Sequence, residues 1–91
     1  MGEAKVTFRV LWDEVALSEL DQIWWAASDR EGIEHVVTRI NTELTFNPLM
    51  AGESRADNYR VLIKHPLVIW FRIMERLAEV QVVHIRVTRQ K

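Results

Sequence analysis

The sequence of 91 residues has no cysteine, only three glycines and two prolines, and no long apolar run. The lack of cysteine excludes disulfide scaffolds, zinc sites built on cysteine and thiol nucleophiles. Apolar runs such as Leu67 to Phe71 are far shorter than the roughly 18 residues that a membrane span needs. The first residues lack the apolar stretch of a signal peptide. We therefore expect a cytoplasmic protein without a membrane partner.

The composition is that of an ordinary globular domain. Hydrophobic residues make up 48% and charged residues 27% of the chain, which excludes wholesale disorder. A chain of this length holds one hydrophobic core, so we expect a single domain over residues 1–91. The formal net charge of -1 by itself argues against a strongly basic nucleic-acid-binding domain.

The first half of the chain predicts one strand followed by two helices. Residues 5–12 alternate between apolar and polar side chains, as in a half-buried strand. Asp13 is placed to cap the first helix, and Ser28 with Glu31 to form a capping box at the start of the second. Asn47-Pro48 ends the second helix, because the residue before proline avoids helical geometry. The two helices, joined by a short turn, form a hairpin.

The second half predicts a long loop over 47–58 and then three strands, at 59–65, 67–74 and 80–88. The order is therefore β-α-α-β-β-β. Consecutive strands favour an α+β fold, in which an antiparallel sheet has the helical hairpin packed on one face.

Charge is segregated between these elements. The strands hold no acidic residue, whereas the helical region 13–46 holds eight acidic residues and two arginines. Strand alternation predicts that the basic side chains converge on the sheet face opposite the helices. Such a patch would attract nucleic acid phosphate or an acidic protein segment. The alternative is a solvated face whose cations discourage edge pairing. The six basic residues of the strands are Lys5, Arg9, Arg60, Lys64, Arg72 and Arg86.

The order and spacing of several segments resemble the RelE/ParE superfamily of toxin–antitoxin toxins, along essentially the whole chain. These segments are Trp12-Asp13-Glu14, Asn47-Pro48-Leu49, Gly52-Glu53-Ser54-Arg55, Tyr59 to Leu62, Leu67 to Ile73 and Val83 to Val87. The resemblance implies a type II toxin-like protein that acts on mRNA at the ribosome or on DNA gyrase, as in plasmid stabilisation modules. It also implies a cognate antitoxin, often acidic, that wraps and neutralises the toxin.

Candidate site residues follow from the charge pattern and the resemblance. His84 is the candidate general acid or base, since its ordinary pKa lies near neutrality, and Arg72 is its candidate catalytic partner. Trp25 falls on the polar side of the first helix and is a candidate partner contact. The three histidines share no ligand spacing, so we expect neither a metal nor a cofactor. The candidate RNA- or antitoxin-binding residues are Arg60, Lys64, Trp70, Arg72, Arg86 and Arg89.

The chain departs from the ribonucleases of this superfamily at two places. They typically carry an arginine at the start of the third strand, which here falls at about Pro66 or Leu67. They often carry a histidine or tyrosine near the end of the chain, whereas residues 88–91 contain neither. The sequence therefore leaves open whether the protein is a metal-independent endoribonuclease. The competing hypothesis is a catalytically inert interaction module on the same fold, with a homodimer among its expected forms.

Overall fold

A computed structural model describes residues 6–88 of the chain. The elements in this range confirm the predicted order, with one addition: a two-residue strand lies in the predicted long loop. Short 3-10 turns at Pro48–Met50, Ala56–Asn58 and Glu75–Leu77 connect the elements. The elements are β1 (Arg9–Trp12), α1 (Glu14–Ala26), α2 (Arg30–Phe46), β2 (Glu53–Ser54), β3 (Tyr59–Lys64), β4 (Leu67–Met74) and β5 (Glu79–Val87).

The five strands of the described residues form one sheet in the order β1-β5-β4-β3-β2. The last four strands of the chain pair antiparallel to one another, but β1 runs parallel to β5. The α+β class is thus confirmed, while the sheet is mixed rather than antiparallel throughout. A parallel neighbour is available to β1 because the helical hairpin supplies the long connection that parallel pairing requires.

Only one of the two helices has a side-chain cap at its start. Asp13 precedes α1 but makes no side-chain capping bond. The side chain of Asp29 accepts a hydrogen bond of 3.0 Å from Gly32 N–H at the start of α2. The predicted capping box at Ser28 was wrong, because Asp29, and not Ser28, directly precedes the first helical residue. In the described part of the chain, neither helix has the length and apolar character needed to cross a bilayer.

The hydrophobic core lies between the helices and one side of the sheet. Leu67, Ile69 and Phe71 of β4 are fully buried there, together with Ile40 and Leu44 of α2. Successive strand residues point to opposite sides, so the even-numbered residues of β4 lie on the side away from the helices. We call this side the outer face.

Candidate functional site

The outer face is mainly apolar and aromatic. Trp70 lies near its centre, opposite Val61 of β3 and His84 of β5. The rings of Trp70 and His84 meet edge to face, with their centroids 6.4 Å apart. Ile63, which pairs with Val68 on the same face, is 58% exposed. Exposed apolar surface of this kind is typical of a surface that contacts another molecule.

Arg72 is the cation next to Trp70 along β4. Its Nη2 donates to Gln81 Oε1 at 3.1 Å, and its guanidinium lies 5.4 Å from the ring centroid of Tyr59. Its Nε is buried and has no hydrogen-bond partner among the described residues, where Arg72 also forms no ion pair. Nη2 makes the only hydrogen bond of this guanidinium among the described residues, so Nη1 keeps donors that suit a carboxylate or phosphate.

Two of the predicted basic residues lie on the other side of the sheet. Arg60 pairs with Phe71 and Lys64 pairs with Leu67, and residues directly opposite one another share a face. Arg60 and Lys64 therefore point toward the helices, and the predicted convergence of all the strand cations was wrong. The reason is that the apolar side of β3, with Val61 and Ile63, lies on the outer face, whereas the side with the two cations packs toward the helices around the buried Leu62.

Both of these side chains have local partners. Arg60 donates from Nε to Ala51 O at 2.9 Å and from Nη1 to Ser54 Oγ at 2.9 Å, which holds the loop that leads into β3. Lys64 Nζ forms an ion pair of 2.8 Å with Glu43 Oε1 of α2. Arg60 and Lys64 therefore have structural roles within the fold.

A carboxylate of α1 organises the far end of β5. The pairing with β1 ends at Val82, and beyond it Glu19 Oε1 accepts a bond of 3.0 Å from Ile85 N–H. Glu19 Oε2 lies 2.5 Å from Arg86 Nη1 and 3.3 Å from His84 Nδ1. Glu19 thus satisfies a backbone donor that β1 is too short to reach.

This environment changes the acidity of Glu19. Partial burial opposes its ionisation, but hydrogen bonds from Ile85, Arg86 and His84, together with the charge of Arg86, outweigh it and lower the pKa of Glu19. His84 and Arg86 are therefore already engaged by a carboxylate. The structure brings His84 close to Trp70, but it also gives His84 a local structural partner.

The remaining cations do not form the predicted basic patch. Arg9 Nη2 lies 2.6 Å from Glu79 Oε2, so this strand arginine is neutralised as well. Lys5 and Arg89 lie outside the described residues. Among residues 6–88, the outer face is thus an apolar and aromatic surface around Arg72, the one strand cation on this face without an acidic partner.

Trp25 is 62% exposed, as the sequence predicted. Its ring meets Trp24 edge to face at 5.1 Å. Arg30 was not singled out from the sequence, yet its guanidinium lies about 5 Å from both rings. It also donates to Trp24 O and Trp25 O at 3.0 and 2.9 Å, which satisfies carbonyls at the end of α1. The contact of Trp25 with a partner stays a prediction.

An open groove of about 1670 Å³ lies between the turn of the helical hairpin and the end of β5. We call it the hairpin-tip groove. Ile23 and Val36 contribute to its helical wall, while Ile85 and Val87 contribute to its strand wall. Over residues 6–88, no three histidine or acidic side chains are grouped closely enough to hold a metal ion.

Comparison with known proteins identifies the architecture. No protein-family model and no curated protein matches the sequence. A chain of the RelBE2 toxin–antitoxin complex from Mycobacterium tuberculosis superposes with a TM-score of 0.78 at 16% identity, covering 98% of this chain and 100% of that one. A chain of the chromosomal ParDE system of P. aeruginosa gives 0.73 at 19% identity, covering 93% and 100%. The isolated E. coli RelE toxin gives 0.60 at 10% identity, covering 92% and 87%.

The chain has the RelE/ParE-like toxin fold. The resemblance stated from the sequence is confirmed at the level of the fold, because identities this low carry the architecture alone. Within this RelE/ParE-like fold, the start of the third long strand is Leu67, which is fully buried. No cation is therefore available at the position where ribonucleases of the superfamily typically have one.

The residues that sequence patterns missed are those that act through distant partners. Glu19 and Gln81 contact cations of β5 and β4 from 67 and 9 positions away in the chain. In the sequence, Glu19 is one acidic residue of a helix with an apolar stripe, and nothing distinguishes it from a surface acid. Only the packing of α1 along β5 shows its role.

Proposed function

We propose that the chain is the toxin-like component of a type II toxin–antitoxin module, and that a small antitoxin neutralises it. The RelE/ParE-like fold supports the toxin-like role. The observation that carries the binding proposal is Arg72: an arginine with unused donors in the middle of an apolar and aromatic face. Arginine and tryptophan are the residue types on which protein interfaces most depend.

The antitoxin segment on the outer face needs a particular chemistry. Apolar side chains would cover Trp70, Val61 and Ile63, and a single carboxylate would pair with Arg72. Because Arg9 and Arg86 already have acidic partners, a long run of acidic residues would find few unpaired cations. We therefore expect a mainly apolar antitoxin segment with one well-placed acid.

A second part of the antitoxin would occupy the hairpin-tip groove. The groove runs beside the edge of the helical hairpin and offers apolar contacts from Ile23, Val36 and Ile85. Arg86 lines the groove and also lies on the outer face, opposite Val68, so one antitoxin chain would contact both surfaces. Trp25, exposed near the end of α1, is the candidate contact at the hairpin.

The target of the free toxin would be mRNA at the ribosome or DNA gyrase. An RNA-cleaving site would use Arg72 for the phosphate, and His84 for proton transfer. Two observations weigh against cleavage: His84 is held by Glu19, and Leu67 occupies the position of the usual arginine. The competing proposal is a catalytically inert interaction module on the same fold, in which a second copy of the chain would cover the outer face.

Induction of the chain in its native host tests the toxin-like role. Growth should stop, and co-expression of a small protein encoded beside it should restore growth. A variant with Arg72→Glu should resist this rescue if it still arrests growth. Unchanged growth after induction, with the protein present and folded, would contradict the toxin role and favour the inert module.

A further inference from the structure

The two helices of the hairpin are separated by a second depression on the protein surface. It has a volume of about 460 Å³ and lies along the line where α1 and α2 meet. We call it the seam groove. Leu17, one of its apolar residues, is 50% exposed. The lining residues are Leu17, Leu20, Asp21 and Trp24 from α1, and Ile33, Glu34, Val37 and Thr38 from α2.

The seam groove combines apolar walls with unpaired acids. Asp21 and Glu34 are exposed, and neither forms an ion pair with any described residue. Glu34 Oε2 accepts a hydrogen bond of 3.0 Å from Trp24 Nε1, which fixes its carboxylate beside the apolar surface. The residues that line the groove therefore carry two negative charges and no positive charge; the guanidinium of Arg30 lies outside the lining, 4.9 Å from the ring centroid of Trp24.

We propose that the seam groove binds an amphipathic helix whose flanks carry lysine or arginine. The apolar side of such a helix would cover Leu17 and Val37, and its basic flanks would meet Asp21 and Glu34. This partner differs in charge from the one proposed for the outer face, so the seam groove is a separate interaction surface.

The walls of the groove explain why the partner is a helix and not an extended strand. Both walls are helical, and the backbone groups in the middle of a helix are already bonded within it. An added strand would find no backbone donors or acceptors to pair with. Recognition must come from side chains, as in a helix that lies in a groove.

A second copy of the chain is excluded as the occupant by charge. The region of its own helices, residues 13–46, contains eight acidic residues and two arginines. A helix from a second copy would therefore place acidic side chains against Asp21 and Glu34. Like charges in contact oppose association.

A synthetic helical peptide tests the proposal with the full chain. The probe carries leucines at positions i, i+3, i+4 and i+7 and lysines on both flanks, and its control has glutamate in place of every lysine. We expect the lysine peptide alone to bind, with changes in amide chemical shifts centred on Leu17, Asp21 and Thr38. Binding should weaken as salt is raised, because the flanking contacts are electrostatic.

Matched variants locate the binding. Leu17→Ser should weaken the lysine peptide about tenfold through lost apolar contact, whereas Leu77→Ser, at another exposed leucine, should not. Asp21→Asn with Glu34→Gln should weaken it several-fold, roughly the value of two exposed ion pairs. Asp57→Asn with Glu75→Gln changes the net charge equally and should have no such effect. Equal weakening by both acidic pairs, shifts elsewhere, or a concentration-dependent dimer that Leu17→Ser abolishes would overturn the proposal.

Discussion

Glu19 and Arg86 join the middle of α1 to the last strand of the sheet, with Oε2 and Nη1 2.5 Å apart. The same carboxylate accepts the amide of Ile85. It therefore closes the edge of β5 where β1 has ended. An unpaired amide at this point would carry a desolvation cost, so the contact is expected to stabilise the fold.

The lowered pKa of Glu19 gives this contact a pH dependence. Because the folded-state pKa lies below the ordinary value of 4.5, the stabilisation is fully present above that value and is lost as pH falls through the folded pKa. Urea unfolding at neutral pH should show that Glu19→Gln lowers the free energy of unfolding by about 1 kcal/mol. The difference from wild type should shrink toward acid pH.

Glu14→Gln is the matched control for Glu19→Gln. Glu14 lies on the same helix, is exposed, and forms no ion pair with the described residues. Its substitution should leave the free energy of unfolding nearly unchanged. A Glu19 effect that stays constant from pH 7 down to pH 3 would show that the contact does not depend on the carboxylate charge.

Arg60 is predicted to matter for stability rather than for binding. Its guanidinium donates to Ala51 O, Gly52 O and Ser54 Oγ, so Arg60→Ala leaves the carbonyls of the buried Ala51 and the half-buried Gly52 unpaired. We expect a loss of about 1–3 kcal/mol in urea unfolding. Arg55→Ala removes a neighbouring, exposed ion pair with Glu53 and should cost less than about 1 kcal/mol. An equal cost for the two variants would contradict the assigned role of Arg60.

The bounds of β4 could be predicted from the sequence, whereas the buried side of β3 could not. The bounds of β4, Leu67–Met74, agree with the prediction, because Pro66 marks its start and its alternation has one clearly apolar side. In β3 the apolar side, with Val61 and Ile63, is the outer one, whereas Leu62, between two cations, is buried, so alternation misidentifies the buried side. Only the register against Phe71 and Ile69 assigns it.

Charge pairing was unpredictable for a related reason. Counting residues places six cations on the strands, but it does not show which acids of other elements reach them. Glu43 and Glu19 meet Lys64 and Arg86 across the fold, at separations without any local signal. The prediction that the strands hold no acid was wrong, because the observed strands also contain Glu53 and Glu79, and Glu79 pairs with Arg9. The inferred basic patch failed because its cations have partners that only the tertiary structure supplies.

Gly52 is required by its backbone geometry and its surroundings. Its φ is +66°, and a Cβ at this position would clash with the carbonyl oxygen of Val61. Gly52→Ala therefore meets both left-handed strain and a backbone that cannot move aside without breaking the β2–β3 pairing. We expect a loss of at least about 2 kcal/mol in urea unfolding.

Gly32→Ala offers a comparison with a different physical cause. At Gly32 the obstacle is the flexible side chain of Asp29, which can rotate away at the expense of the α2 cap. The cost should be near that of a lost cap, about 1 kcal/mol, partly offset by the better helix propensity of alanine. A larger loss at Gly32 than at Gly52 would contradict this assignment.

The rate of mRNA cleavage tests the proposed catalytic role of His84. If the chain cleaves ribosome-bound mRNA, His84→Ala and Arg72→Ala should each lower the rate about a hundredfold or more, as expected for proton transfer and phosphate stabilisation. His65→Ala is the control, since His65 is exposed and contacts Thr88. Cleavage that persists in both variants would remove these residues from the mechanism.

Arg72 is predicted to matter more for binding than for stability. Its Nε is buried without a partner, which is unfavourable in the unbound protein. Arg72→Met keeps the apolar stem and removes the unpaired donor, at the expense of the Gln81 bond and the contact with Tyr59. We expect the free energy of unfolding to stay within about 1 kcal/mol of wild type.

Binding of the antitoxin should respond quite differently to Arg72→Met. A carboxylate that pairs with this guanidinium would lose a charge-assisted bond, so calorimetry should show affinity reduced about tenfold or more. Arg9→Met is the control, because Arg9 lies on β1 beside the same face but is paired with Glu79. Unchanged affinity in a well-folded Arg72→Met protein would place the antitoxin elsewhere, whereas a large loss of stability would show that Arg72 serves the fold and not a partner.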